Sequence, residues 1–311
     1  MLRRTGVFLA SLALASVTVF AFMSVLPGDP ARVALGVTAD PESVAQLQAR
    51  FGTDRPLAVQ YLDWVSGLPT GDFGRSYVTE ATIGPQIVDR LLVTLWLVAT
   101  ASVLALLVAV PAGVVAAVRH RRPSGAFLSG MSQVGIAIPS FLAGMLLIAL
   151  FAVHWGLLPA GGWTPPAQDP ARFVRLLILP ALSLGVVQAA VLTRYVRSAI
   201  LDVLREDYLR TARAKGMGPY RALIRHGLRN AAIPVVTVLG LQLATLLIGA
   251  VVVERVFVIP GLGSLLLDGV ANRDLLLVQG VVMVLVVAVL LVNYLVDVAY
   301  VVIDPRLRRA R

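Results

Sequence analysis

Lys215 is the only lysine in the chain, and His120, His154 and His226 are its only histidines. A loop that cradles nucleotide phosphates reads Gly-x-x-x-x-Gly-Lys-[Ser/Thr], with the lysine directly after a glycine. Lys215 follows Ala214 instead, so this chain has no such loop and any ATP it uses must be hydrolysed by another chain. There is no cysteine, which excludes disulfides and thiolate metal sites. Three scattered histidines, two of them inside basic segments, do not supply an internal transition-metal site. The residues that could do work are of two other kinds. One is a basic stretch, DYLRTARAKGMGPYRALIRHGLRNAAIP (207–234), broken by Gly216 and Gly218. The other is a set of polar side chains inside apolar runs: Gln188, Gln242, Gln279, Asn293 and Asp297.

These residues must be held by membrane-spanning elements. The hydrophobic set makes up 58% of the chain and charged residues only 14%, far from the balance of a soluble domain. Six apolar runs are long enough to cross about 30 Å of hydrocarbon as helices: 6–26, 94–118, 130–153, 176–195, 231–253 and 275–303. The first has arginines before it like a secretory signal, but its core is too long and no cleavage pattern follows, so we read it as a retained helix. An even number of spans puts both termini on one side. Arg3 and Arg4, the 119–122 turn, the 194–229 stretch and the 306–311 tail hold 18 of the 27 basic residues, and with Asp304 this side carries four acids. The other side holds nine basic residues against twelve acids. The positive-inside rule therefore assigns the basic segments and both termini to the cytoplasm. The net charge of +10 follows from topology and requires no nucleic acid.

The expected fold is all-α, with about six transmembrane helices. It divides into a first helix (1–26), an extracytoplasmic cap segment (27–92) and a five-helix core (93–311) that includes a cytoplasmic elbow (198–229). Within the cap, Asp40 is placed to cap a short helix over 41–50, and Leu57, Tyr61 and Trp64 share one side of a second. Cap acids outnumber cap arginines, eight to five, which suits a basic partner surface. Trp155 and Trp163 suit the interfacial belt, and a Pro260-Gly261 turn leads into a short amphipathic helix.

In the elbow, the spacing predicts a first helical piece with Leu201, Leu204, Tyr208 and Ala212 on one face. A second piece places Tyr220, Leu223, Ile224 and Leu228 together, beside a stripe of Arg221, Arg225 and Arg229. Three uses compete. A basic helix–turn–helix reading DNA is sterically awkward so close to the bilayer. A segment lying on anionic lipid would gain about 1 kcal/mol per basic residue. The third use is docking to a cytoplasmic protein.

Residues 207–234 resemble the cytoplasmic coupling loop of ABC-transporter permease subunits, in the form found in the dipeptide/oligopeptide/nickel importer family. The generic loop has Glu-Ala-Ala, three residues, then Gly; the aligned positions here are Arg210, Thr211, Ala212 and Gly216. The resemblance continues through LPGDPA (26–31), QYLDWVSGLPTGDFGRSY (60–77), IPSF (138–141), LILPALSLG (177–185), VVVERVFVIPGLGSLLLDGVANRDLLLVQG (251–280) and IDPRLR (303–308). Together these motifs cover essentially the whole chain in the family's order.

The resemblance implies a permease subunit of an ATP-driven importer of short peptides in a prokaryotic cytoplasmic membrane. Nickel and glutathione are alternative cargoes. Its partners would be a homologous second permease, two cytoplasmic ATPases that carry the ATP and Mg, and an extracytoplasmic substrate-binding protein. This chain would bind no cofactor of its own. Asp207, Tyr208, Arg210, Thr211, Ala212, Arg213, Lys215, Gly216 and Met217 would contact the ATPase, with Tyr208, Ala212 and Met217 as apolar anchors. A helix continuous from the fourth span into the elbow would carry the motion. For the pathway we single out Pro139, Ser140, Pro180, Ser183, Gln188 and Gln242, with the two Pro/Ser pairs unwinding their helices to bare backbone carbonyls. The competing class is a stand-alone secondary carrier. Against it stand the scarcity of acids in the spans and the lack of a detectable inverted repeat.

Overall fold

The computed structural model describes residues 2–26, 28–36 and 39–303, and these are helices joined by short loops. The tail arginines and most of the 303–308 motif lie outside the described residues. Contacts group the chain into two compact units, Met1–Thr94 with Pro260–Leu291, and Leu95–Ile259 with Val292–Arg311.

The first unit begins with α1 (Leu2–Val25), a long apolar helix. Three short helices follow: α2 (Pro30–Leu35), α3 (Pro41–Phe51) and α4 (Leu57–Gly67). Asp40 caps α3 as its sequence position suggests, accepting from the Ser43 N–H at 2.9 Å and the Ser43 hydroxyl at 2.7 Å. Those bonds, led by the hydroxyl, hold the Asp40 carboxyl below its ordinary range. Gly52 ends α3 at φ 69°, a left-handed conformation that suits glycine. Asp29 accepts from Ala31 N–H and from the Gln48 amide at 2.7 Å, which ties α2 to α3. On α4, Trp64 is buried and Tyr61 half-buried against Val19 of α1, whereas Leu57 is exposed. Ser16 of α1 and the Tyr61 hydroxyl are 2.9 Å apart.

The same unit holds the first part of α5 (Ile83–Val118), α12 (Leu262–Ala271) and the first part of α13 (Leu275–Ile303). Phe73, Ile83, Ile87, Leu262, Leu265, Leu277 and Val281 form one buried cluster there. A polar staple locks it. Asp274, 2% exposed, accepts from the Ser76 hydroxyl, the Tyr77 N–H at 3.3 Å and the Leu277 N–H at 3.4 Å. The bond to Leu277 closes the open N-terminus of α13. Burial, and next the Asp274 carboxylate, push the Tyr77 phenol up, so it stays protonated.

In the second unit, α8 (Pro170–Leu204) packs against α6 (Pro123–Ala137), α7 (Ser140–Leu147) and α11 (Leu228–Val256). Among the described residues five helices are long and apolar enough to cross a membrane, or six if α6 and α7 with its continuation count as one. That pair occupies the third apolar run read from the sequence (130–153), broken at Pro139. The chain bends by 99° between α6 and the helix after it, because Ile138 (φ −88°, ψ 120°) and Pro139 (φ −62°, ψ 141°) are extended. Proline lacks the N–H that would continue the ladder and disfavours a helical residue before it.

Replacing Asp274 by alanine strands the Ser76 hydroxyl and two backbone N–H groups. Each stranded group costs about 1–3 kcal/mol, so the apparent melting midpoint in mild detergent should fall sharply, and Asp274→Asn should recover part of the loss.

Candidate functional site: the elbow and the helix junction

The elbow starts where α8 stops. Glu206 is extended (φ −68°, ψ 141°), and α9 (Asp207–Ala214) begins immediately after it. The expected continuous helix from span to elbow is therefore absent, and Leu201 and Leu204 belong to α8. Asp207 stands in the first turn of α9, where a negative charge suits the helix dipole. At the other end, the Gly216 N–H bonds Arg213 O at 3.0 Å and the Met217 N–H bonds Ala212 O at 3.2 Å. Gly216 has φ 88°, open only to glycine without strain. The return starts with α10 (Pro219–Ala222), passes a π-helical turn at Leu223–Gly227 and runs on into α11.

Leu209 (1% exposed) and Ala212 (7%) point into the chain's own core with Val196, Ile200, Val203 and Leu223, and Met217 packs against that cluster. Gly227 is the close-approach point. A Cβ there would lie 2.7 Å from Leu223, 2.9 Å from Val203 and 3.4 Å from Leu209. Of the three expected apolar anchors, Ala212 and Met217 thus serve internal packing. Tyr208 is 38% exposed, and its hydroxyl accepts from the Asn230 side-chain amide at 2.9 Å. Arg210, Thr211, Arg213, Lys215 and Gly216 are exposed, as are Arg221, Arg225 and Arg229. Arg210 and Asp207 are paired loosely at 3.5 Å. Tyr220 and Ile224 are also exposed, so the apolar face expected for the second piece is reduced to Leu223 and, in part, Leu228. Sequence spacing missed Leu209, because a single leucine among charged residues carries no periodic signal of its own.

The residues singled out for the pathway fall at one junction only in part. Ser140 opens α7 after the break at Pro139, and a Cβ on Gly249 of α11 would be 3.9 Å from its hydroxyl. A Cβ on Gly144 of α7 would be 3.4 Å from Ser183 of α8. Pro180 does not unwind α8: the helix runs through it, and the Ser183 hydroxyl donates to the Pro180 carbonyl at 2.8 Å. Of the two Pro/Ser pairs, only Pro139–Ser140 breaks a helix. Gln188 is 4% exposed on α8 with no partner for its Nε2, and Gln242 is half-buried on α11. After α7 the helix widens to a π form over Ile148–His154. The glycine-rich loop beyond it docks on the end of α11, where the Gly162 N–H bonds Phe257 O at 2.8 Å and a Cβ on Gly161 would collide with that carbonyl. Trp155 is half exposed, and Trp163 stacks edge-on against Phe173 at 5.3 Å. Among the described residues no group of three His, Asp or Glu side chains is placed to hold a metal ion.

Among the described residues the chain has five or six apolar spans and a two-faced basic elbow. The model for binding-protein-dependent transport system inner membrane components matches residues 109–309, and the model for the N-terminal part of such components matches 1–98. The chain belongs to this family of ABC importer permeases. It is 42% identical over 308 residues to the glutathione transport system permease protein GsiC of Salmonella typhi, covering 99% of this chain and 98% of that one. The protein of the same name in Escherichia coli (strain K12) is 42% identical over 298 residues, 96% of this chain and 95% of that one. A crystal structure of an amino acid ABC transporter with histidines shares the fold at a TM-score of 0.52 and 17% identity, over 70% of this chain and 93% of that chain.

Leu209→Ala should cost about 2–5 kcal/mol by opening a cavity in the elbow core. Arg213→Ala, on the exposed face, should stay within about 0.5 kcal/mol. Thermal unfolding of the two purified variants checks the contrast.

Proposed function

We propose that the cargo is a short peptide, with the tripeptide glutathione among the candidates, and that it moves inward through this subunit. The observation that carries the reading is the near full-length similarity to permeases named for glutathione transport. The scarcity of charged side chains within the apolar spans fits a neutral or zwitterionic cargo better than one held by fixed ion pairs.

In this reading the elbow and both termini face the cytoplasm, as the distribution of arginine requires. An ATPase subunit docks on the exposed face of α9, touching Asp207, Tyr208, Arg210, Thr211, Arg213, Lys215 and Gly216. Leu209, Ala212 and Met217 couple that face to the ends of α8 and α11 through the buried cluster. Motion of the ATPase then reaches the spans as a rigid-body displacement of the elbow. A homologous permease completes the pore, two ATPases bind and hydrolyse ATP with Mg, and a binding protein delivers cargo to the acidic outer segment. Pro139, Ser140, Ser183, Gln188 and Gln242 are the polar points of the pathway, and the backbone at the 138–139 break is its bare-carbonyl position.

Uptake of radiolabelled glutathione, of a dipeptide and of Ni²⁺ in cells with and without the chain, before and after ATP depletion, tests the reading. Loss of peptide uptake on deletion and on depletion is the expected result. Loss of Ni²⁺ uptake alone would change the cargo. Uptake that needs the chain but survives depletion would remove the ATPase from the account. Reversing Arg213 and Lys215 to glutamate should abolish uptake and co-purification of the ATPase, leaving the amount of chain in the membrane unchanged.

A further inference from the structure

The first compact unit contains a half-open cavity of about 390 Å³, within the range of about 300–1,000 Å³ common for small-molecule sites. Its wall comes from the C-terminal end of α1, the segment 51–77 and the first turns of α13. Arg55, Asp63 and Asp72 are its charged lining residues, so the acids exceed the base by one. Arg55 and Asp63 pair at 2.7 Å while each stays about half exposed, so both keep hydrogen-bonding capacity toward a ligand.

Two further lining residues, Trp64 and Gln279, are 8% and 6% exposed, and the indole Nε1 and amide Nε2 are buried with no hydrogen-bond partner. Trp64 belongs to an apolar cluster with Val19 and Met283, and Gln279 lies one turn before Met283 on α13. Buried donors without an acceptor are rare in folded proteins, and two of them belong to side chains that line this cavity. Neither nitrogen is accessible as the side chains stand, so a ligand oxygen would reach them by turning the ring or the amide toward the cavity.

We infer that this cavity receives a short peptide with a free ammonium group. The Asp63 and Asp72 carboxylates face the ammonium, Arg55 faces the terminal carboxylate, and the Trp64 and Gln279 N–H groups take carbonyl oxygens. The inference rests on the peptide reading of the cargo and adds a receiving site in the outer segment to it. A purely anionic ligand fits worse, because the lining already carries an excess of negative charge.

The test uses the full-length chain in nanodiscs of phosphatidylglycerol and a diazirine dipeptide, photo-leucyl-alanine, with the labelled residues mapped by mass spectrometry. Label should fall within 20–30, 51–77 and 275–279, and excess alanyl-alanine should suppress it about tenfold, while N-acetyl-alanine amide barely competes. Asp63→Asn and Trp64→Phe should each cut labelling several-fold. Asp63 is half exposed, so its variant should keep the wild-type melting midpoint even if the tryptophan variant does not.

Equal competition by the capped peptide, labelling spread outside these segments, or undiminished labelling of Asp63→Asn would overturn the site. Suppression by phosphatidylethanolamine would overturn it too, and would assign the cavity to a lipid headgroup. If ATP-dependent peptide uptake holds while labelling fails, the cavity assignment falls alone. If uptake itself fails, the cargo reading falls and takes the site with it.

Discussion

The second unit depends on how closely helix backbones can approach α8. Lipid tails are as apolar as leucine, so association of spans in a membrane relies on close packing and polar contacts rather than on expulsion of water. An apolar 18-residue stretch of α8 has 67% of its residues buried, against 11% for the corresponding stretch of α1. Its neighbours meet it through residues with little or no side chain. A Cβ on Gly113 would lie 2.6 Å from Val196, one on Gly135 2.7 Å from Ala190, and one on Gly185 of α8 itself 3.1 Å from the Ala101 carbonyl. On the α7 and α11 sides a Cβ on Gly144 or Gly249 would lie at ordinary contact distance, 3.4 Å from Ser183 and from Leu184 respectively. Larger residues at Gly113, Gly135 and Gly185 would force these neighbours away from α8.

The elbow solves a different problem. A helix leaving the membrane no longer needs every backbone group bonded within the helix, because water is at hand, and the chain uses that freedom to turn at Glu206 and again at Gly216. Between the turns α9 has room for one apolar stripe. Leu209 and Ala212 commit that stripe to the ends of α8 and α11, which leaves the arginines and Lys215 outward. An elbow built this way is packed against the span ends on one side and charged on the other. Tyr208 reinforces the arrangement, since its hydroxyl is tied to Asn230 at the start of α11.

In the first unit, polar contacts over long sequence separations hold short helices that have little core of their own. Asp29 to Gln48, Ser16 to Tyr61 and Ser76 to Asp274 join segments that apolar periodicity alone would leave unconnected. Thr94 adds one more, accepting from the Leu262 N–H at 2.9 Å where α12 begins.

Apolar run length and arginine placement determined by themselves that the chain is helical, crosses a membrane several times and carries a basic elbow, because hydrocarbon thickness and backbone hydrogen bonding leave a chain of this composition little else to do. Asp40 as a cap and Gly216 as a stop were also legible, since capping and left-handed turns are local and leave a residue-type signature. Tertiary structure alone decided the rest. Pro139 and Pro180 carry the same local prohibition, yet only the first breaks its helix, and Ser183 covers the Pro180 carbonyl. Ala212 and Met217 looked free to meet a partner, but the folded chain turns them inward. Asp274 reads as a loop acid until Ser76, far away in sequence, is brought beside it. The last two outcomes depend on neighbours supplied by other segments, and composition and spacing record only neighbours along the chain.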